Sequence, residues 1–279
     1  MARENTDGTI TIGTCDGTPI RYPLWGNGTT YNGLIVGGPG SGTTTLAASI
    51  VTAARAAVPT VTMHLAPEYE RSGLAASATW AYPTGPFAHQ NVFRLNNTVK
   101  DRRERLGGAA WEPSPDMPLV LVVIDAVSDV FGPLGVQDRT HAADKIGDWE
   151  WVTRFGTAVG VAFLAVSRYG GLLSEFGGSY ALRSELANNV IALRLLGQMA
   201  PLGVDVYEAH DLGLRDGILI DAHAKRHEFT VPALDVPTLV AQHADAAPDP
   251  GTRDAIVPPK ERPVPRGHVA RPSKNTPAW

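Results

Sequence analysis

The stretch GGPGSGTTT, residues 37 to 45, gathers residue types that bind phosphate. Gly37, Gly40 and Gly42 allow a backbone to wrap with its N–H groups pointing inward, around Ser41. Thr44 offers a hydroxyl to Mg2+. The spacing of Gly37, Gly42, Thr43 and Thr44 follows the phosphate-loop pattern G-x-x-x-x-G-K-[ST] with one departure, because Thr43 stands where the pattern has lysine. A threonine cannot bridge the β and γ phosphates with a positive charge. A partner for the loop is "LVLVVIDAV", an apolar run ending in Asp125, where an acid would hold Mg2+ through water. The next position, where a glutamate would polarise the attacking water, is Ala126. The expected ligands are ATP and Mg2+. Gly37, Gly40, Ser41, Gly42, Thr43 and Thr44 would contact the nucleotide, and Thr44 and Asp125 the metal. Losing both the lysine and the glutamate predicts at most a weak ATPase. A glycine-rich turn with no ligand is the alternative.

The elements that must position these residues follow from periodicity. "GLIVG" (33–37) precedes the loop and an alanine-rich helix over 43–57 follows it, its positive end at the loop. Further strands are expected at 60–65, 91–95, 118–125, 160–167 and 189–195, and helices at 96–106, 144–158 and 179–187. The strand runs are apolar throughout, as in strands buried on both faces of a parallel sheet. Their alternation with helices predicts a three-layer α/β fold. Asp16-Gly17 marks an N-terminal hairpin over 9–24, and "DGILIDAHAKRHEFTVP" (216–232) a closing C-terminal hairpin.

In order and spacing these pieces resemble the FtsK/SpoIIIE/TraB (HerA/FtsK) branch of hexameric DNA-translocating P-loop ATPases, from about residue 9 to residue 235. The hairpin "IGTCDGTPIRYPL" and the loop segment "YNGLIVGGPGSGTT" match the start of such domains. The family's second strand ends in Asp-Pro-Lys; "MHLAPEYE" keeps Pro67 between Ala66 and Glu68. "NTVKDRRERL" resembles the arginine-ended helix before the acidic strand. "WEWVTRFGTAVGVAFLAVSRYGG" resembles the helix and strand ending in Thr-Gln-Arg-Pro, with Ser167 at the sensing glutamine and Arg168 kept. "LRSELANNVIALRL" and "GLRDGILI" resemble the closing segments. The resemblance implies a RecA-like P-loop NTPase fold with a mostly parallel sheet, and a degenerate nucleotide site. It further implies membership of a hexameric ring on double-stranded DNA, in DNA transfer or segregation, with Arg168 or Arg154 reaching a neighbouring site. A pseudo-ATPase that binds a protein partner, comparable to the degenerate domains of type VII secretion motors, is the second reading.

Composition narrows the remainder. The chain has 279 residues, a net charge of −4 and one cysteine, Cys15, which excludes an intrachain disulfide framework and fits a reducing compartment. No apolar run reaches the ~18 residues of a membrane span, and "MARENTDGTI" lacks a signal-peptide core. A cytoplasmic location is expected. A P-loop domain over residues 1–245 would precede a disordered, proline-rich basic tail over 246–279, which is either solubilising or a salt-sensitive contact for DNA. His223 and His227 read as solvated turn histidines, and "KDRRER" (100–105) as a solvated helix face.

Overall fold

Asp16 and Gly17 both take positive φ, 47° and 78°, the twist-matched turn of a two-residue hairpin. They join β1 (Thr9–Cys15) to β2 (Thr18–Pro23) in the computed structural model of the chain, which describes residues 8–66, 78–83, 86–132, 142–169, 171–195 and 203–232. After a small ribbon of β3 (Trp25–Gly26) and β4 (Thr29–Thr30), β5 (Gly33–Val36) runs into the glycine loop and α1 (Thr43–Ala57). The later strands are β6 (Thr60–Ala66), β7 (Trp80–Pro83), β8 (Leu119–Asp125), β9 (Val161–Ser167), β10 (Asn189–Leu193), β11 (Asp216–Ile220) and β12 (Arg226–Thr230).

The described strands form a ten-stranded sheet in the order β2-β1-β12-β11-β10-β5-β9-β8-β6-β7. From β10 to β7 the neighbours are parallel. The two terminal hairpins pair with each other and extend the sheet antiparallel beyond β10. One consequence positions the site: β9 lies between β5 and β8, so the loop and Asp125 stand at the same carboxyl edge, with the end of β9 between them. The carboxyl edge is where open α/β sheets bind ligands.

Two apolar layers make the molecule three-layered. On one face Leu46, Ile50 and Ala54 of α1 pack on Leu121, Val123 and Leu164. On the other, Val92, Val99, Trp149 and Leu186 from three helices pack on Val122, Ile124 and Phe163. Two asparagines knit the opposite, amino edge. The Asn32 amide donates to the carbonyls of Thr153 (3.3 Å) and Glu185 (2.9 Å), while its oxygen accepts from Phe163 N–H (2.9 Å). Asn189 donates to the Pro23 carbonyl (2.9 Å) and accepts from Ala222 N–H (2.8 Å).

Two expectations are corrected. Residues 91–95, expected as a strand, belong to the helix Pro86–Leu106. "NVFRL" alone is short and apolar, but the buried positions Val92, Leu95, Val99 and Arg102 recur at helical spacing, and the longer window decides. Nor is 100–105 wholly a solvated face. Arg102 is 1% exposed and its Nη1 donates to the Val159 carbonyl at 3.0 Å; burial pushes its guanidinium down to about 10. β7 has no counterpart among the expected strands. Pro67, Glu68 and the tail 246–279 lie outside the described residues. No described helix is long and apolar enough to cross a membrane.

Candidate nucleotide site

The loop is strapped to the strands on both sides of β5. Gly37 N–H donates to the Ser167 carbonyl of β9 at 3.2 Å, and Gly38 N–H to the Arg194 carbonyl beyond β10 at 3.0 Å. Gly40 and Gly42 take φ of 77° and 96°, and a Cβ at either would meet nothing within 4 Å, so the wrap faces open space. Gly37 is the tight point. A Cβ there would lie 2.3 Å from Ser41 Oγ and 2.8 Å from Thr43 Cγ2. Ser41 and Thr43 therefore fold onto Gly37, and Ser41 Oγ is buried without a hydrogen-bond partner. α1 starts with no side-chain cap and no acidic residue in its first turn, which leaves its N–H groups and positive end for an anion. An orphaned hydroxyl among free N–H groups is the chemistry that a phosphate oxygen satisfies. The residues fit a phosphate in every respect but the missing lysine.

Asp125 completes the site. Thr44 Oγ1 donates to its Oδ2 at 2.7 Å, and Arg168 Nη2 lies 3.4 Å from its Oδ1. The Asp125 side chain is 8% exposed and that of Arg168 44%. Thr44 and Asp125 are hard oxygen donors suited to Mg2+, which would neutralise phosphate charge. Ala126 is fully buried and offers no base. Arg168, expected at a neighbouring site, touches its own chain's Asp125. Arg154 is elsewhere: it pairs with Glu185 at 3.3 Å and is 68% exposed. Its neighbour Thr153 is held by Asn32 at the amino edge of the sheet, whereas Arg168 follows the carboxyl end of β9.

Two buried groups at this edge had no signal in the sequence. Glu175, 4% exposed, accepts from Ser167 Oγ (2.6 Å), Gly171 N–H (3.1 Å) and Leu172 N–H (3.1 Å). Burial pushes its carboxyl above the usual range although these bonds oppose the shift. Ser167 is thus turned to Glu175. His64 of β6 is fully buried with neither ring nitrogen partnered. Burial lowers its pKa, and the charge of Asp125 works against that. Away from the site, His227 Nε2 lies 3.2 Å from Asp221 Oδ2, and His223 is exposed with its ring edge-on to Tyr31. No group of three or more His, Cys, Asp or Glu side chains that could hold a metal ion occurs among the described residues.

No family model and no curated protein matches the sequence. Solved structures do. The cytoplasmic domain of the Thermomonospora curvata type VII secretion ATPase EccC matches with TM-score 0.63 and 20% identity, over 86% of this chain and 31% of that one. The pCW3 conjugation coupling protein TcpA, solved as a monomer with ATPγS, matches with TM-score 0.64 and 13% identity, over 86% and 71%. Thermomonospora curvata EccC ATPases 2 and 3, in complex with a signal sequence peptide, match with TM-score 0.58 and 17% identity, over 92% and 48%. This chain has the RecA-like P-loop fold. It spans about a third of the first of these proteins and about half of the third.

Proposed function

We propose that the chain is a nucleotide-binding module of the FtsK/TraB translocase type that binds Mg-ATP weakly and hydrolyses it little. The observation that carries this reading is the 2.7 Å bond from Thr44 to Asp125 at the mouth of an open, uncapped loop. Residues 37 and 40–44 take the phosphates, and Thr44 and Asp125 hold Mg2+. The nucleotide-binding domain covers residues 1–245, and 246–279 form a basic tail. The module works in the cytoplasm as a subunit or accessory of a ring in DNA transfer or segregation. Ring membership lets it act without turnover of its own. Calorimetric titration with Mg-ATP, beside a DNA-stimulated ATPase assay, tests the reading. Binding well above micromolar dissociation constants with turnover far below ~1 per second is expected. Sub-micromolar binding with turnover near that rate overturns the impaired-site reading, and no binding at all overturns the nucleotide reading.

A pseudo-ATPase that docks a protein segment is the second reading, supported by charge. Without the six Lys/Arg and two Asp/Glu of residues 251–279 the formal charge of the chain falls from −4 to −8, which repels a duplex.

A further inference from the structure

We infer that Arg168 supplies, within its own chain, the phosphate-facing cation that Thr43 cannot, by exchanging its grip on Asp125 for the phosphate. The inference rests on the nucleotide reading above and names the residue that makes the altered loop usable.

Strand order brings the cation there. β9 separates β5 from β8, so the residue after β9 stands between the loop and Asp125. Arg168 is that residue, with its guanidinium 3.4 Å from Asp125 Oδ1 while Thr44 holds Oδ2 at 2.7 Å. The carboxylate thus carries a hydroxyl on one oxygen and a cation on the other. Thr44 and Asp125 would hold Mg2+, whose charge would offset that of the carboxylate, and Arg168, whose side chain is 44% exposed, would then be available to a phosphate. Arginine suits the role because its planar fork can bind two phosphate oxygens at once.

The backbone under Arg168 is held for this. Glu175, buried beneath β9's end, accepts hydrogen bonds from the backbone of Gly171 and Leu172 and from Ser167 Oγ. Ser167 Oγ also accepts from Gly171 N–H at 2.8 Å, and the Ser167 carbonyl accepts from the loop's Gly37 N–H. Arg168 therefore rises from a turn anchored on both sides and tied to the phosphate loop itself. Glu175 is a positioning residue. Arg168 is the binding residue.

The experiment is calorimetric titration of the full chain with Mg-ATP, for the wild type, Arg168→Ala, Thr43→Lys and the double variant. Arg168 is exposed enough that its loss leaves the fold intact, which a matching thermal melt verifies. Arg168→Ala should weaken binding roughly tenfold or more, the loss of one charge-assisted contact. Thr43→Lys in the Arg168→Ala background should recover it. In a second arm without Mg2+, Asp125→Asn should tighten ATP binding more in the wild type than in Arg168→Ala, because only the former has a guanidinium to release. Unchanged or tighter Mg-ATP binding by Arg168→Ala overturns the inference and leaves the nucleotide reading standing. So does a wild type that fails to bind while Thr43→Lys binds. If neither the wild type nor Thr43→Lys binds, both readings fall.

Discussion

Thr43 opens α1 with its methyl against Gly37, so a longer side chain at this position starts from the loop and can extend over it. Thr43→Lys should therefore tighten Mg-ATP binding at least tenfold, for a gain of about 1.5–3 kcal/mol from a charge-assisted contact. With Ala126→Glu added, hydrolysis should become measurable in a phosphate-release assay; a double variant as inactive as the wild type would mean that the pocket has drifted too far. Gly37 has the opposite sensitivity. A methyl there meets Ser41 Oγ at 2.3 Å and Leu193 Cβ at 3.2 Å. Gly37→Ala should cost about 1–3 kcal/mol by overpacking and abolish ATP binding, seen as a lower melting temperature and a flat titration.

At the scale of elements, the helix Pro86–Leu106 is joined to the start of β9 by groups that leave little slack. Arg102 donates from that helix to the Val159 carbonyl, and Trp111 donates from Nε1 to the Met117 carbonyl at 3.0 Å. The Trp111 ring closes on Gly160, where a Cβ would lie 2.1 Å from the indole and φ is 81°. Gly160→Ala combines a clash with a left-handed backbone that alanine disfavours. It should destabilise by more than ~2 kcal/mol in urea titration, and an unchanged midpoint would show that the indole can move aside. On the outer side of the same helix, Lys100 lies over the Trp151 ring at 5.6 Å and Arg103 over Phe155 at 5.3 Å. These contacts hold Pro86–Leu106 against a second helix, Ala142–Gly156, which carries Trp151 and Phe155, by cation–π attraction in addition to apolar packing.

For the whole molecule, pH and salt are the levers. The Glu175 carboxyl is raised by burial, so the folded state holds its proton more tightly than the unfolded one. Its contribution is fully present below its ordinary value near 4.5 and is lost as pH rises through the folded value. Melting temperatures of the wild type and Glu175→Gln, followed from acid to neutral pH, should show a downward slope in the wild type that the variant lacks. Parallel curves would remove Glu175 as its source. Charge sets the second lever. Residues 251–279 carry the basic excess and the rest of the chain is acidic, so any DNA affinity should fall steeply with salt and depend on residues 251–279. Full-length and truncated proteins, compared on one duplex across a salt series with oligomeric state monitored, test this. Equal affinity and slope would place the contact in the body, and no binding by either would favour the protein-partner reading.

Local chemistry determined the loop, the first hairpin and α1 in advance. Glycines at 40 and 42 are needed because the backbone turns left-handed there, Asp16-Gly17 because a tight hairpin requires positive φ at both residues, and the helix 43–57 because its apolar positions recur at helical spacing. The apolar strands were legible because a strand covered on both faces has no polar side to show. A five-residue window misread 91–95, since a short apolar run fits a strand and a helix face equally. Tertiary structure alone decided the site's charge. Arg168 meets Asp125, and Glu175 grips the turn beneath it, because β9 inserts between β5 and β8. The pairing of β9 with β5 joins segments more than a hundred residues apart, and no periodicity along the chain records it.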